Sequence, residues 1–192
     1  MSNRTKFFAA LFISLLLTAD GLGQDEPKYS ELPNFHQVNS NLYRGAQPEK
    51  NGLQRLKELG IKTVINLRDT GDLTKTEEKT AAAMGIQYFN VPLPNFNRPD
   101  DATVARILEL INSSANQPVF VHCKRGSDRT GTIMAVYRIS HDGWTSEKAT
   151  AEAKRFGLGF WQLGMKDYIH DYYTRHSHND QTTTKQTPQL LF

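Results

Sequence analysis

The stretch VFVHCKRGSDRTG, residues 119–131, decides how the rest of the chain is read. A short apolar run ends at Cys123, the single cysteine among 192 residues, and Arg129 follows six positions later. The segment 132–140 then has the pattern of a helix. A strand, a tight loop and a helix start therefore meet at one thiol. Backbone N–H groups of such a loop and the positive end of such a helix converge on a point that favours an anion.

A free cysteine titrates at about 8.5, and cations beside a helix N-terminus lower that value until thiolate dominates at neutral pH. The field that favours thiolate also favours a phosphoryl dianion. Arg129 offers a planar fork that matches two phosphate oxygens, whereas a lysine supplies charge without the paired geometry. Gly126 and Gly131 let the backbone curl tightly, and Thr130 places a hydroxyl near the sulfur. A lone cysteine is often a small buried hydrophobe. That reading is weak here, because His122, Lys124, Arg125 and Arg129 surround it with polar or cationic groups.

Working outward, residues 41–48 (NLYRGAQP) read as a short strand closed by a turn, and 49–59 as an amphipathic helix stopped at Gly60. Residues 61–67 (IKTVINL) are β-branched and read as a central strand. Residues 74–84 read as a helix and 86–91 as the next strand, so the three make a βαβ unit with a right-handed crossover. The proline-rich loop 92–101 (PLPNFNRPDD) precedes a helix marked by Val104, Ile107, Leu108 and Ile111. Residues 119–121 form a third core strand. Further helices are expected through Ser140, over 146–156 with Ser146 as N-cap, and over about 165–176. The fold class is α/β: a central parallel sheet of four or five strands flanked by helices. The loops 92–101 and 123–131 both follow carboxyl ends of strands, the edge where open α/β sheets bind ligands.

The 38% hydrophobic and 22% charged composition suits a soluble globular chain with room for one domain, and net +3 is too weak to argue for nucleic acid. Arg4 and Lys6 before the eleven-residue apolar run 7–17 have the organisation of an export signal, too short to span a bilayer. Cleavage is expected after Ala19 or Gly23, the alternative being an uncleaved anchor. The expected organisation is a signal peptide over 1–23, a polar lead-in over 24–40, a catalytic domain over 41–176 and a disordered tail over 177–192. The protein would then be periplasmic or secreted, with no stable membrane insertion. The histidines are scattered, and no metal-ligand spacing is present.

HCKRGSDRTG resembles the His-Cys-x5-Arg-Thr/Ser signature of the cysteine-dependent protein tyrosine and dual-specificity phosphatases. The resemblance runs over about residues 41–173. NLYRGAQP, VINLRD and DGWTSEKATAEAKRFG are similar to a bacterial dual-specificity phosphatase, and HCKRG to the atypical plant and fungal branch that acts on inositol pyrophosphates. The resemblance implies a tyrosine-phosphatase-like fold and a phosphocysteine intermediate on Cys123. It also implies a phosphate held by Arg129 and the loop of Lys124, Arg125, Gly126, Ser127, Asp128 and Thr130, with no metal or other cofactor. Phosphorylated proteins and inositol phosphates or phosphoinositides are the implied substrates.

A leaving alkoxide or phenoxide needs a proton. The family takes it from an aspartate on a separate loop, and Asp100 and Asp101 lie in such a loop. Asp101, 22 residues before Cys123, is preferred; its alternative role is to cap the helix, and Asp128 is a rival inside the cysteine loop. Lys124 and Arg125 suggest a substrate with more than one phosphate, with Lys62, Arg68 and Arg98 as further sources of charge. Two other readings compete with hydrolysis. One is a catalytically idle phosphate-binding module; the other is sulfur transfer or arsenate reduction, against which the missing second cysteine and Thr130-Gly131 count.

Overall fold

The structure is a computed structural model and describes residues 29–183. The expected signal peptide at 1–23 and the end of the expected tail, 184–192, lie outside the described residues.

Five strands, β1 (His36–Asn39), β2 (Leu42–Gly45), β3 (Thr63–Asn66), β4 (Gln87–Asn90) and β5 (Val119–His122), form one sheet in the order β1-β2-β5-β3-β4. Strands β2, β5, β3 and β4 run parallel, while β1 pairs antiparallel with β2. The expected central parallel sheet is thus present as four strands, and the antiparallel edge strand β1 makes the whole sheet mixed. β1 falls inside the stretch expected to lie over the surface as a lead-in. Its sequence, HQVN, is too polar and too short to announce a strand, and it forms at an edge where only half its surface meets the protein.

The central strand β5 is buried along its whole length. Side chains alternate between the two faces of a sheet, so Val119 and Val121 pack on one side and Phe120 on the other. The first side is covered by helices α3 (Asp101–Asn112), α4 (Asp128–Asp142), α5 (Ser146–Arg155) and α6 (Leu163–Thr183). The second is covered by α1 (Gly52–Glu58) and α2 (Asp72–Ala83). Ile107 and Ile111 of α3 and Leu53 and Leu56 of α1 supply the apolar stripes that the helical spacing of the sequence predicts.

Two helix ends differ from expectation. Thr145, not Ser146, caps α5, its hydroxyl accepting the Lys148 N–H at 3.4 Å. α6 continues past His176 to Thr183, so residues 177–183 of the expected disordered tail are helical. Tyr168, Ile169 and Tyr172 anchor its packed part, and each residue added to an existing helix gains a hydrogen bond without a new nucleus. Among the described residues no helix is long and apolar enough to cross a membrane.

The register sets Gly45, His122, Asn66 and Asn90 side by side at the carboxyl ends of the four parallel strands. The loops that follow β2, β3, β4 and β5 therefore open at one edge. Ile65 is fully buried in the middle of this sheet. Ile65→Ala is expected to destabilise the protein by about 2–5 kcal/mol in urea unfolding, whereas Leu73→Ala, at a side chain that is 67% exposed, should stay within about 0.5 kcal/mol.

Candidate active site

The loop between β5 and α4 is built by close backbone approach. Gly126 has φ +69°, and a Cβ there would lie 2.4 Å from the carbonyl carbon of Gly45 and 2.6 Å from the nitrogen of Ala46. Only glycine lets the loop cross β2 this tightly. From outside, the Asn34 amide donates to the Arg125 carbonyl at 3.1 Å; from below, the buried Arg44 guanidinium donates to the Gly126 carbonyl at 2.6 Å. Helix α4 begins at Asp128, earlier than its apolar pattern indicates, so Arg129 and Thr130 lie in its first turn. The positive end of the helix is thereby brought to the loop.

Cys123 is a buried free thiol. Burial pushes its pKa up, but the Thr130 hydroxyl, the N–H groups of Thr130 and Arg125, and the Arg129 charge together outweigh burial and hold the thiol below its ordinary range. The Thr130 hydroxyl is buried with no hydrogen-bond partner among the described residues, and it acts on the thiol as one of the groups that lower its pKa. Arg129 is itself buried, with NH1 donating to the Leu67 carbonyl at 3.2 Å and standing 3.8 Å from Asp69 Oδ2. Two loop ends, one after β3 and one after β5, thus fix the guanidinium beside the thiol.

Behind the thiol lies a buried polar layer. His122 Nδ1 faces the Cys123 carbonyl at 3.3 Å, and burial holds the imidazole below its usual pKa, opposed by nearby Glu77. Glu77 accepts from the Gln47 amide and the Asn66 amide at 2.7 Å and from the Tyr88 hydroxyl at 2.9 Å. Arg68 donates to Gln47 Oε1 at 2.6 Å and closes the chain.

In front of the thiol is a hollow of about 90 Å³, walled by Cys123, Ser127, Arg129, Gln162, Asn95 and Phe96 and also reached by Lys124, Arg125 and Asp128. The structure brings Cys123, Lys124, Arg125, Ser127, Asp128 and Arg129 together here, with Gly126 and Thr130 in the same loop. It does not bring Asp101 here. Asp101 is drawn to α6, where it accepts from the Tyr168 hydroxyl at 2.8 Å and from Arg175 at 2.9 Å. Asp100 caps α3 by accepting the Thr103 N–H at 2.8 Å. Asp128 holds the loop: Oδ1 accepts the Gly159 N–H at 2.9 Å, and Oδ2 accepts from Arg125. Of the cations expected at the mouth, Arg125 is paired with Asp128, Arg98 with Asp171 and Arg68 with Gln47. Lys62 sits at the opposite, amino end of β3.

The family model described as a dual-specificity, tyrosine-phosphatase-type phosphatase fused to NAD+ kinase matches residues 27–171. The chain belongs to this family. The dual specificity protein phosphatase TpbA of Pseudomonas aeruginosa strain UCBPP-PA14 is 32% identical over 66% of this chain and 56% of its own length. The inositol diphosphatase DSP5 of Arabidopsis thaliana is 28% identical over 73% of this chain and 70% of its own. The crystal structure of P. aeruginosa TpbA superposes with a TM-score of 0.62 at 25% identity, covering 76% of this chain and 91% of that one. The match to TpbA spans little more than half of that protein's full length. The α/β architecture is thus that of the tyrosine-phosphatase-like folds.

Several residues of this site carry no sequence signal that singles them out. Asp69, Asn95 and Gln162 meet at the mouth, where Asn95 donates to Asp69 at 3.2 Å and its carbonyl accepts from Gln162 at 2.9 Å. Arg44 had one available sign, a charge inside a strand whose flanking residues are apolar or small. Gly126→Ala is expected to abolish vanadate binding measured by calorimetry, because its Cβ has no room above Gly45. Gly143→Ala, also at positive φ but with open space around it, should cost only about 1 kcal/mol of stability and leave vanadate affinity unchanged.

Proposed function

We propose that the protein is a phosphohydrolase that works through a thiol-phosphate intermediate. The Cys123 thiolate attacks phosphorus in line, forming an S–P bond as the bond to the leaving oxygen breaks. Water then attacks the same phosphorus, the S–P bond breaks, and thiolate and inorganic phosphate result. Arg129 and the loop N–H groups stabilise charge on the equatorial oxygens in both steps, and the Thr130 hydroxyl eases departure of the sulfur. One observation carries this reading: the buried Cys123 thiol faces a hollow lined by Arg129 and the loop residues Lys124, Arg125, Ser127 and Asp128, and the groups around it hold it below its ordinary pKa despite burial. No metal enters the scheme.

Phosphorylated proteins and inositol phosphates are both proposed substrates, supported by a protein phosphatase and an inositol diphosphatase among the relatives. The carboxylates favour one kind of leaving group. Among the described residues Asp128 is the only carboxylate that lines the hollow, and both of its oxygens are engaged. Asp69 stands at the mouth, not in the lining, where its Oδ2 accepts from Asn95 and faces Arg129. With no unengaged carboxylate lining the hollow, aryl phosphates and phosphoanhydrides, which depart without full protonation, are favoured over alkyl esters. Export is also proposed, on Arg4, Lys6 and the apolar run 7–17; cell fractionation that leaves the full-length chain in the cytosol contradicts it.

Turnover of p-nitrophenyl phosphate is expected without added metal and should fall by at least about 1,000-fold in Cys123→Ser. Since the thiolate is lost only as pH falls through the lowered Cys123 value, kcat/KM should hold at neutral pH and decline toward acid. Full activity in Cys123→Ser refutes the scheme. Across aryl phosphates of graded phenol acidity, rates should drop steeply with the more basic phenols, and Asp101→Asn should change kcat by less than about threefold. A large loss in Asp101→Asn with basic leaving groups only would restore Asp101 as the acid.

A further inference from the structure

Arg44 lies in the middle of β2, between β1 and β5, and is 1% exposed. A buried guanidinium is unfavourable unless negative charge and hydrogen bonds oppose the loss of water. Among the described residues this one makes a single hydrogen bond, NH2 to the Gly126 carbonyl at 2.6 Å, while its Nε and NH1 are buried with no hydrogen-bond partner. Its carbon Cζ stands 4.4 Å from the centre of the Phe156 ring, which places the cation over the ring. A methionine would fill a similar volume without burying two unpaired N–H groups. The charge at this position therefore burdens the fold unless the loop above makes use of it.

We propose that Arg44 is a positioning residue for the Cys123 loop, drawing the Gly126 carbonyl downward and holding a fixed positive charge behind the sulfur. The Gly126 carbonyl and the Ser127 N–H belong to one trans peptide plane and point in opposite directions. With the carbonyl fixed on Arg44, the Ser127 N–H turns to the other side of the loop, and Ser127 lines the hollow. The left-handed conformation of Gly126 permits this orientation, and its contact with Gly45, the neighbour of Arg44, ties loop and strand into one body.

The charges around Arg44 fit the second part of the role. Glu152 of α5 and Cys123 favour its charged form, while Arg138 of α4 and Arg155 of α5 oppose it. His36, its partner on β1, is pushed down by burial first and then by Arg44 and Arg155. Burial brings Arg44 down to about 10, so it remains charged at neutral pH. On the thiol itself act the groups of Thr130 and Arg125 and the charge of Arg129, and the Arg44 charge and the thiolate favour one another.

The turnover arm of the test rests on the proposed phosphohydrolase reading; the thiol arm does not. Cys123 is the only cysteine, so iodoacetamide alkylation as a function of pH reports its ionisation alone. In R44M the alkylation midpoint should rise by about half a pH unit or more, and kcat for p-nitrophenyl phosphate should fall about tenfold or more, with KM moved less. R44K keeps the charge but not the planar fork. It should return the midpoint most of the way while kcat stays about fivefold or more below the unaltered protein. An R44M protein with native circular dichroism and both quantities within about twofold of the unaltered protein overturns the proposal. If R44M does not fold, R44K decides: an unaltered kcat overturns the positioning role, and a reduced kcat with a near-native midpoint supports it. Should the unaltered protein not hydrolyse the ester at all, the alkylation midpoint still tests Arg44 by itself.

Discussion

Burial opposes ionisation of Cys123, and the loop around it is shaped by what is required to reverse that penalty. A sulfur with so little exposure cannot borrow stabilisation from water, so every favourable interaction must be supplied by groups fixed in advance. Those groups are one hydroxyl, two N–H bonds and one guanidinium. They converge only if the backbone turns sharply at Gly126 and α4 starts at once with Asp128, Arg129 and Thr130. The packing of Gly126 on Gly45 follows from that requirement. So does the full burial of β5, the strand that delivers the cysteine.

The charges near the site divide into an inner and an outer group. Arg129 and Arg44 are buried and held by carbonyls of Leu67 and Gly126, where low dielectric makes their fields strong. Lys124 and Arg125 are exposed, and Arg125 is already joined to Asp128. The outer pair therefore contributes little to the thiol and, among the described residues, leaves Lys124 as the unengaged cation of the loop. The case for a substrate with several phosphates consequently rests on fewer cations than the sequence suggests. His122 and Glu77 form a third element, a buried layer that links the amino side of the cysteine to β3, β4 and α2 through Asn66 and Tyr88. It leaves His122 few orientations and so holds the cysteine carbonyl in place.

Much of this arrangement is legible in the chain because it depends on local pattern. The β-branched runs at 61–67 and 119–121, the helical stripe of Val104, Ile107, Leu108 and Ile111, and glycines at helix ends each report burial or turning at their own position. The cysteine loop is legible for the same reason, since its residues are consecutive. What is not legible depends on side chains from distant segments meeting. Asp101 has the residue type and loop context of a proton donor, but Tyr168 and Arg175 of α6 hold it, and α6 begins more than sixty residues later. β1 is invisible because an edge strand of HQVN needs only one partner. Arg44 looks like an ordinary surface charge until the register of β2 against β5 places it beneath Gly126.

The most direct measurement is titration of the Cys123 thiol in the folded protein by thiolate ultraviolet absorbance, with Arg129→Lys as comparison. The account predicts a midpoint clearly below that of a free cysteine, about 8.5, and an upward move when the guanidinium at 129 is replaced. A midpoint at or above the free value, unchanged by the Arg129 substitution, would mean that burial prevails at the sulfur, and the account would be contradicted.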